Sequence, residues 1–202
     1  GIDKAKKNKL HKNPIVVKKM NDVVYHAQIS RDLEPELKKI KVTDADVKKY
    51  YSKNPEYRTA QILYRLQAAP KPEDVKKSQE QLNIIYNQLQ KSPDKFLEMA
   101  KKFSQSATAP IGGDLGYQPK TKLTPEYYEA IQGKSNGFIT KPFRSQYGWH
   151  IAKVLGKKTY AQIEKKLYKK IIYDTKRDAI LEKYFKKERS KSKIKIYSKN
   201  IK

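Results

Sequence analysis

The chain has no cysteine among its 202 residues. A disulfide framework, a thiol nucleophile and a thiolate metal site are therefore all excluded. Histidine is almost as scarce, with three residues at 11, 26 and 150. Neither His11 nor His26 has a set of ligands near it in sequence, so no metal site can be assembled from them. No apolar run approaches the ~18 residues that would suggest a membrane span. No secretory leader is read at the start of the chain. Hydrophobic residues make up 37%. Globular domains usually carry roughly 45–50%, counted with glycine and without tyrosine. A modest core in an extended chain is expected. Arginine is rare too: six of 46 basic residues, at 31, 58, 65, 144, 177 and 189.

What is abundant is lysine and tyrosine. The formal charge is +25, and there are 15 Tyr against 5 Phe and 1 Trp. A charge this large admits a nucleic acid or an anionic surface as partner. The cation chosen argues against specific nucleic-acid recognition, because bidentate phosphate and base contacts favour arginine. The charge is also spread over the whole chain, as a solvated lysine surface would be. Tyrosine suits contact surfaces that bury a ring and keep a hydroxyl wet.

Residues 1–12 read as a tail or frayed helix end. Asn13-Pro14 offers an N-cap and a first-turn proline. Val16, Met20, Val23, Val24 and Ala27 then recur at helical spacing to about Leu33, with a break before Pro35. A short helix follows from Thr43, with acids in its first turn, to Asn54-Pro55. Residues 59–66 alternate as a strand. Val75, Leu82, Ile85 and Leu89 stripe a helix from Glu73 to Gln90. Ser92-Pro93 opens another, with Phe96, Ala100 and Phe103 on one face. Ile111-Gly112-Gly113-Asp114-Leu115-Gly116-Tyr117 packs three glycines into five positions, a pattern for positive φ or close backbone approach. Thr124-Pro125 caps a short helix. Strands are expected over 139–143 and 149–155, the second half-buried. From Thr159 the helical period returns to Phe185, and Lys193–Tyr197 alternates as a terminal strand.

These elements, in this order, resemble the parvulin family of peptidyl-prolyl cis/trans isomerases from Arg58 to Leu155. The similarity rests on Thr59-Ala60-Gln61-Ile62-Leu63, Phe103-Ser104, Gly112-Gly113-Asp114-Leu115-Gly116, Leu123 with Tyr127, and Gly148-Trp149-His150-Ile151. The flanks resemble those of SurA- and PrsA-type periplasmic foldases. The resemblance implies an α+β chain: a parvulin-like domain with an antiparallel sheet at 57–155, inserted between helical arms at 1–56 and 156–202 that form one chaperone lobe. It implies a periplasmic or cell-envelope location. The partners would be unfolded or nascent secreted and outer-membrane polypeptides with X-Pro bonds, and a homodimer through the flanks is open.

Turning an X-Pro bond means passing a barrier of roughly 18–20 kcal/mol, with no covalent bond broken. No cofactor is called for. The enzyme grips the ring in an apolar slot and binds the twisted amide better than the planar one. By resemblance the slot is Leu115, Leu123 and Tyr127, with Tyr147 beside it. The polar positions are His150, Gln61, Ser106 and Ser145. Gln61 stands where the family carries its first histidine, Ser106 where it carries Cys or Asp, and Gln105 where Asp is frequent. Gln61 can donate and accept but cannot titrate. Ser106 supplies neither thiolate nor carboxylate. Two readings therefore stand open: an isomerase, and a parvulin domain of weak or absent catalysis that holds peptides. A basic binder of anionic surfaces is a third.

Overall fold

The structure is a computed structural model that describes residues 1–193. The strand expected at 193–197 lies beyond them, apart from its first residue. In chain order the elements are α1 Ile2–Lys7, α2 Pro14–Leu37, α3 Asp44–Lys53, β1 Tyr57–Arg65, α4 Pro72–Lys91, α5 Phe96–Phe103, β2 Asp114–Gln118, α6 Pro125–Ile131, β3 Phe143–Ser145, β4 Gly148–Lys157 and α7 Lys165–Lys191. They form two compact units: residues 44–168, and residues 1–43 together with the described residues from 169 to 193.

The 44–168 unit is built on a four-stranded antiparallel sheet in the order β2-β1-β4-β3. Side chains alternate across β1. Ala60 and Ile62, with Ile151 of β4, face Leu82, Ile85 and Leu89 of α4 and Phe96 and Ala100 of α5. The opposite face carries Ala152 and Val154, packed with Tyr127, Tyr128 and Ile131 of α6. Helices lie on both sides, and β4 is buried on one face along 148–154 but on the other at Ile151 alone, with 149, 153 and 155 partly exposed. Polar Thr59, Gln61 and His150 are buried along with the apolar residues.

Local chemistry explains the helices. Pro72 begins α4, Glu73 and Asp74 occupy its first turn, and Leu82, Ile85 and Leu89 share its buried face. Thr124 Oγ1 accepts the Tyr127 N–H at 3.3 Å and so caps α6. Asn13 caps α2 by accepting from Ile15 N at 3.0 Å. Ser92 makes no such cap; the chain enters α5 through a 3-10 turn at Pro93–Lys95.

The first residues, read as a tail or a helix end, are helical over 2–7. Three further expectations are revised. Pro35 does not break α2, which runs on to Leu37; so near the end, proline forfeits one helical hydrogen bond only. The 139–143 strand shrinks to β3 at 143–145 and one bridge, Ile139 to Lys153. The segment 114–118, read from sequence as a glycine segment and assigned no strand, is an edge strand, β2.

α3 packs within the sheet unit: Tyr51 donates its hydroxyl to the Lys158 carbonyl at 2.7 Å. Buried Glu56 beside it takes Lys158 Nζ at 2.6 Å and the Tyr168 hydroxyl at 3.2 Å. In the other unit, Tyr184 of α7 donates to Asp32 of α2 at 2.8 Å, and Lys176 reaches the Lys41 carbonyl. Helical segments from both ends of the chain thus meet within this one unit. α2 buries Leu33 but leaves Ile15, Met20, Val23, Val24 and Tyr25 exposed. Among the described residues no helix is long and apolar enough to cross a membrane.

Candidate functional site

The site lies on the α6 side of the sheet. Thr59, Gln61, Leu63 and Arg65 follow one another along that face of β1, by strand alternation. Leu63 lies opposite His150 in the register and Gln61 opposite Ala152. The chain at 104–106 runs beside β1: Gln105 N donates to the Leu63 carbonyl at 2.7 Å, and Gln105 Oε1 accepts from Arg65 N at 2.7 Å. That pairing delivers Ser106 to Gln61.

Gly113 makes the crowding possible. Its φ is +78°, and a Cβ there would sit 2.2 Å from the Gln61 carbonyl oxygen. The Gly113 carbonyl accepts the Gln61 N–H at 3.0 Å. Only glycine permits both the dihedral and the approach. Next to it, Asp114 Oδ2 receives Arg58 Nε at 3.0 Å and Asp114 Oδ1 receives Gly116 N at 2.8 Å. The Arg58 hydrogen bonds hold the Asp114 carboxyl below the usual range.

A chain of hydrogen bonds crosses the floor of the site. Tyr147 N–H donates to Ser145 Oγ at 3.1 Å. Ser145 Oγ lies 2.7 Å from His150 Nε2, and His150 Nδ1 lies 3.0 Å from Gln61 Oε1. Gln61 Nε2 donates to Ser106 Oγ at 3.1 Å. Ser106 Oγ also accepts Thr108 N at 3.3 Å and lies 3.0 Å from Thr108 Oγ1. The roles follow from the ends. Gln61 Oε1 can only accept, so His150 carries its proton on Nδ1. Its Nε2 then accepts from the Ser145 hydroxyl. Ser106 has both lone pairs engaged and donates onward to Thr108.

His150 is 4% exposed. Burial pulls its pKa from 6.5 to about 4, against a small opposing pull from Glu126. It is neutral at physiological pH. Its ring stacks on Phe143 at 5.2 Å and 11° and meets the Tyr127 ring edge-on at 5.7 Å. The Tyr127 hydroxyl is spent on Thr59 Oγ1 at 3.1 Å, and burial raises its pKa far above the usual phenol value. Tyr127 therefore offers the cleft carbon, not a proton.

A cleft of about 730 Å³ opens over this floor. Gln61, Ser106, Leu115, Leu123, Tyr127, Tyr147 and His150 all line it, though they span ninety positions of sequence. Ser145 does not line it; it lies behind His150 and holds the ring. Leu63, Arg65 and Glu126 line it as well and were not singled out from sequence. Leu63 and Arg65 were legible as the continuation of the Gln61 face of β1. Phe143 and Thr108, which hold His150 and Ser106, carried no signal of their own. Among the described residues no cluster of His, Asp and Glu could hold a metal ion.

An antiparallel sheet with helices on both faces, and an apolar slot backed by a buried hydroxyl–imidazole–carboxamide chain, defines a prolyl-isomerase-type domain. The comparisons agree: residues 62–156 match the rotamase family, described as the PPIC-type PPIase domain. A foldase protein PrsA from Caldanaerobacter subterraneus subsp. tengcongensis is 34% identical over 168 residues, covering 82% of this chain and 52% of that protein. A chaperone SurA from Pseudomonas syringae pv. syringae is 33% identical over 93 residues, covering 44% of this chain and 22% of that protein. The chain thus spans about half the length of the first relative and less of the second. Among solved structures, peptidylprolyl isomerase (PrsA) from Bacillus anthracis covers 96% of this chain and 89% of its own, with TM-score 0.55 at 24% identity. At that identity the likeness speaks for the fold alone.

Proposed function

We propose that the chain is a peptidyl-prolyl cis/trans isomerase-type foldase that takes X-Pro segments of unfolded polypeptides into the cleft on β1, β4 and α6. The observation that carries this reading is the convergence of Leu115, Leu123 and Tyr127 with Gln61, Ser106 and His150 around one hollow. The apolar residues receive the prolyl ring, and the polar ones face its amide. Binding the twisted amide better than the planar one lowers the rotational barrier without covalent chemistry. Gln61 takes the position that the resemblance gives to a first histidine. The similarity to PrsA and SurA supports an extracytoplasmic location and secreted or outer-membrane clients; it favours these over a nucleic-acid partner.

The deciding measurement is a prolyl-isomerisation assay on short X-Pro peptides. Acceleration over the uncatalysed rate is expected, abolished by Tyr127→Ala. One observation favours a second reading, a cleft that only holds peptides: neither Gln61 nor Ser106 titrates, and His150 is buried neutral with both nitrogens engaged. Peptide binding at an uncatalysed rate of isomerisation would establish that reading instead.

A further inference from the structure

We infer that Gln61 is the catalytic hydrogen-bond donor of the cleft, and that His150 is a positioning residue that holds the Gln61 carboxamide in place. The inference rests on the isomerase reading above.

Count the protons along the floor. His150 has two ring nitrogens, and both are occupied, by Gln61 and by Ser145. It has no hydrogen left for a substrate. Ser106 spends its single proton on Thr108, and its lone pairs on Gln61 Nε2 and Thr108 N. Ser145 spends its proton on His150 and does not reach the cleft. The Tyr127 hydroxyl is spent on Thr59. Gln61 differs from all of them. Its Nε2 carries two hydrogens, and one partner is recorded among the described residues, Ser106. Gln61 is buried on every side but the cleft, which it lines. Among Gln61, Ser106, Tyr127, Ser145 and His150, this second N–H is the one side-chain proton left for a ligand.

The carboxamide is also locked against rotation. Oε1 is held by His150 Nδ1–H and Nε2 by Ser106, so neither end can swing without losing a bond in a buried place. The Gly113 carbonyl holds the Gln61 backbone N–H at 3.0 Å. A donor fixed beforehand and aimed at the prolyl amide stabilises charge that shifts as the bond twists, at no cost of reorganisation. The other charged or titratable groups that line the cleft are Arg65, Lys122, Glu126 and Tyr147; Asp114, close by on β2, is bound to Arg58.

Gln61→Glu isolates the donor. A carboxylate still accepts the His150 Nδ1 proton but donates nothing; a protonated carboxyl regains one donor. At pH 8 we expect kcat/KM to fall about tenfold to a hundredfold, with KM little changed. As pH is lowered, activity recovers with the titration of the new carboxyl, whereas the wild type stays flat over that span. Nitrogen NMR of the ring should show His150 as the Nδ1–H tautomer in both proteins. Wild-type activity and a flat profile in Gln61→Glu would overturn the assignment, as would an Nε2–H tautomer in the wild type. Ser106→Ala, which frees one end of the carboxamide, is the second variant should Gln61→Glu not fold; activity equal to wild type there would also overturn it. If the wild type itself fails to accelerate any X-Pro peptide, the isomerase reading falls, and this assignment with it. Loss confined to the variants leaves that reading intact.

Discussion

The fold opposes the protonation of one side chain in particular. His150 has a pKa of about 4 in the folded chain against 6.5 for the ordinary group, because burial disfavours the imidazolium. A depressed folded pKa means that the unfolded chain binds more protons between those values. Stability is therefore complete above about pH 6.5 and declines as pH falls toward 4. The shift corresponds to about 3 kcal/mol. Chemical denaturation at pH 7 and pH 4 checks this: the wild type should lose more stability across the interval than His150→Asn, and equal losses would refute the account. Gly113 supplies a second residue-scale prediction. Gly113→Ala places a methyl 2.2 Å from the Gln61 carbonyl oxygen at φ +78°. The strained dihedral alone costs about 1–3 kcal/mol, and relief of the clash must shift Gln61, so a lower melting temperature and weaker X-Pro peptide binding are both expected. The need for glycine at 113 was legible in the sequence; the group it makes room for was not, since Gln61 lies 52 positions earlier. His150 and Gln61 were readable because each sits in a short, distinctive motif. Phe143, stacked on His150, was read as the end of one strand and the start of the segment that leads to His150, but given no role, because nothing in a lone aromatic says which ring it will face.

Among the elements, α4 carries the clearest bottom-up case. Its buried face is Leu82, Ile85 and Leu89, and Leu82 has no exposed surface. Leu82→Ala should cost about 2–5 kcal/mol, the transfer term plus a cavity against Phe96 and Ile62. Loss of the α6 cap by Thr124→Ala should cost about 1 kcal/mol. Comparing the two by thermal melts tests the ranking of packing over capping; a cap variant less stable than the core variant would reverse it. Elements with many regular repeats were legible: α4 over twenty residues, β1 by its alternation. Elements made by distant pairing were not. β2 has glycine within it and no clean alternation; it becomes a strand because β1 offers an edge and Arg58 clamps Asp114. The 139–143 stretch alternated well enough, but it bridges β4 at Ile139 alone before β3 begins.

At the scale of the whole chain the question is which surface meets a client. The charge is +25 and the cations are overwhelmingly lysine, while the cleft is walled mainly by carbon and uncharged polar groups. Lysine surfaces attract polyanions by displacing counterions, so such binding weakens steeply as salt rises. An X-Pro ring seated against Leu115, Leu123 and Tyr127 displaces water from apolar surface and releases few ions. The two modes therefore separate by salt. Between 50 and 200 mM salt, affinity for an uncharged X-Pro peptide should change by less than about twofold, while affinity for a polyanion such as single-stranded DNA should fall by at least about tenfold. Tyr127→Ala should abolish the first and leave the second unchanged. Peptide binding that weakens with salt as steeply as polyanion binding, and survives Tyr127→Ala, would place the client on the lysine surface and leave the cleft without a ligand.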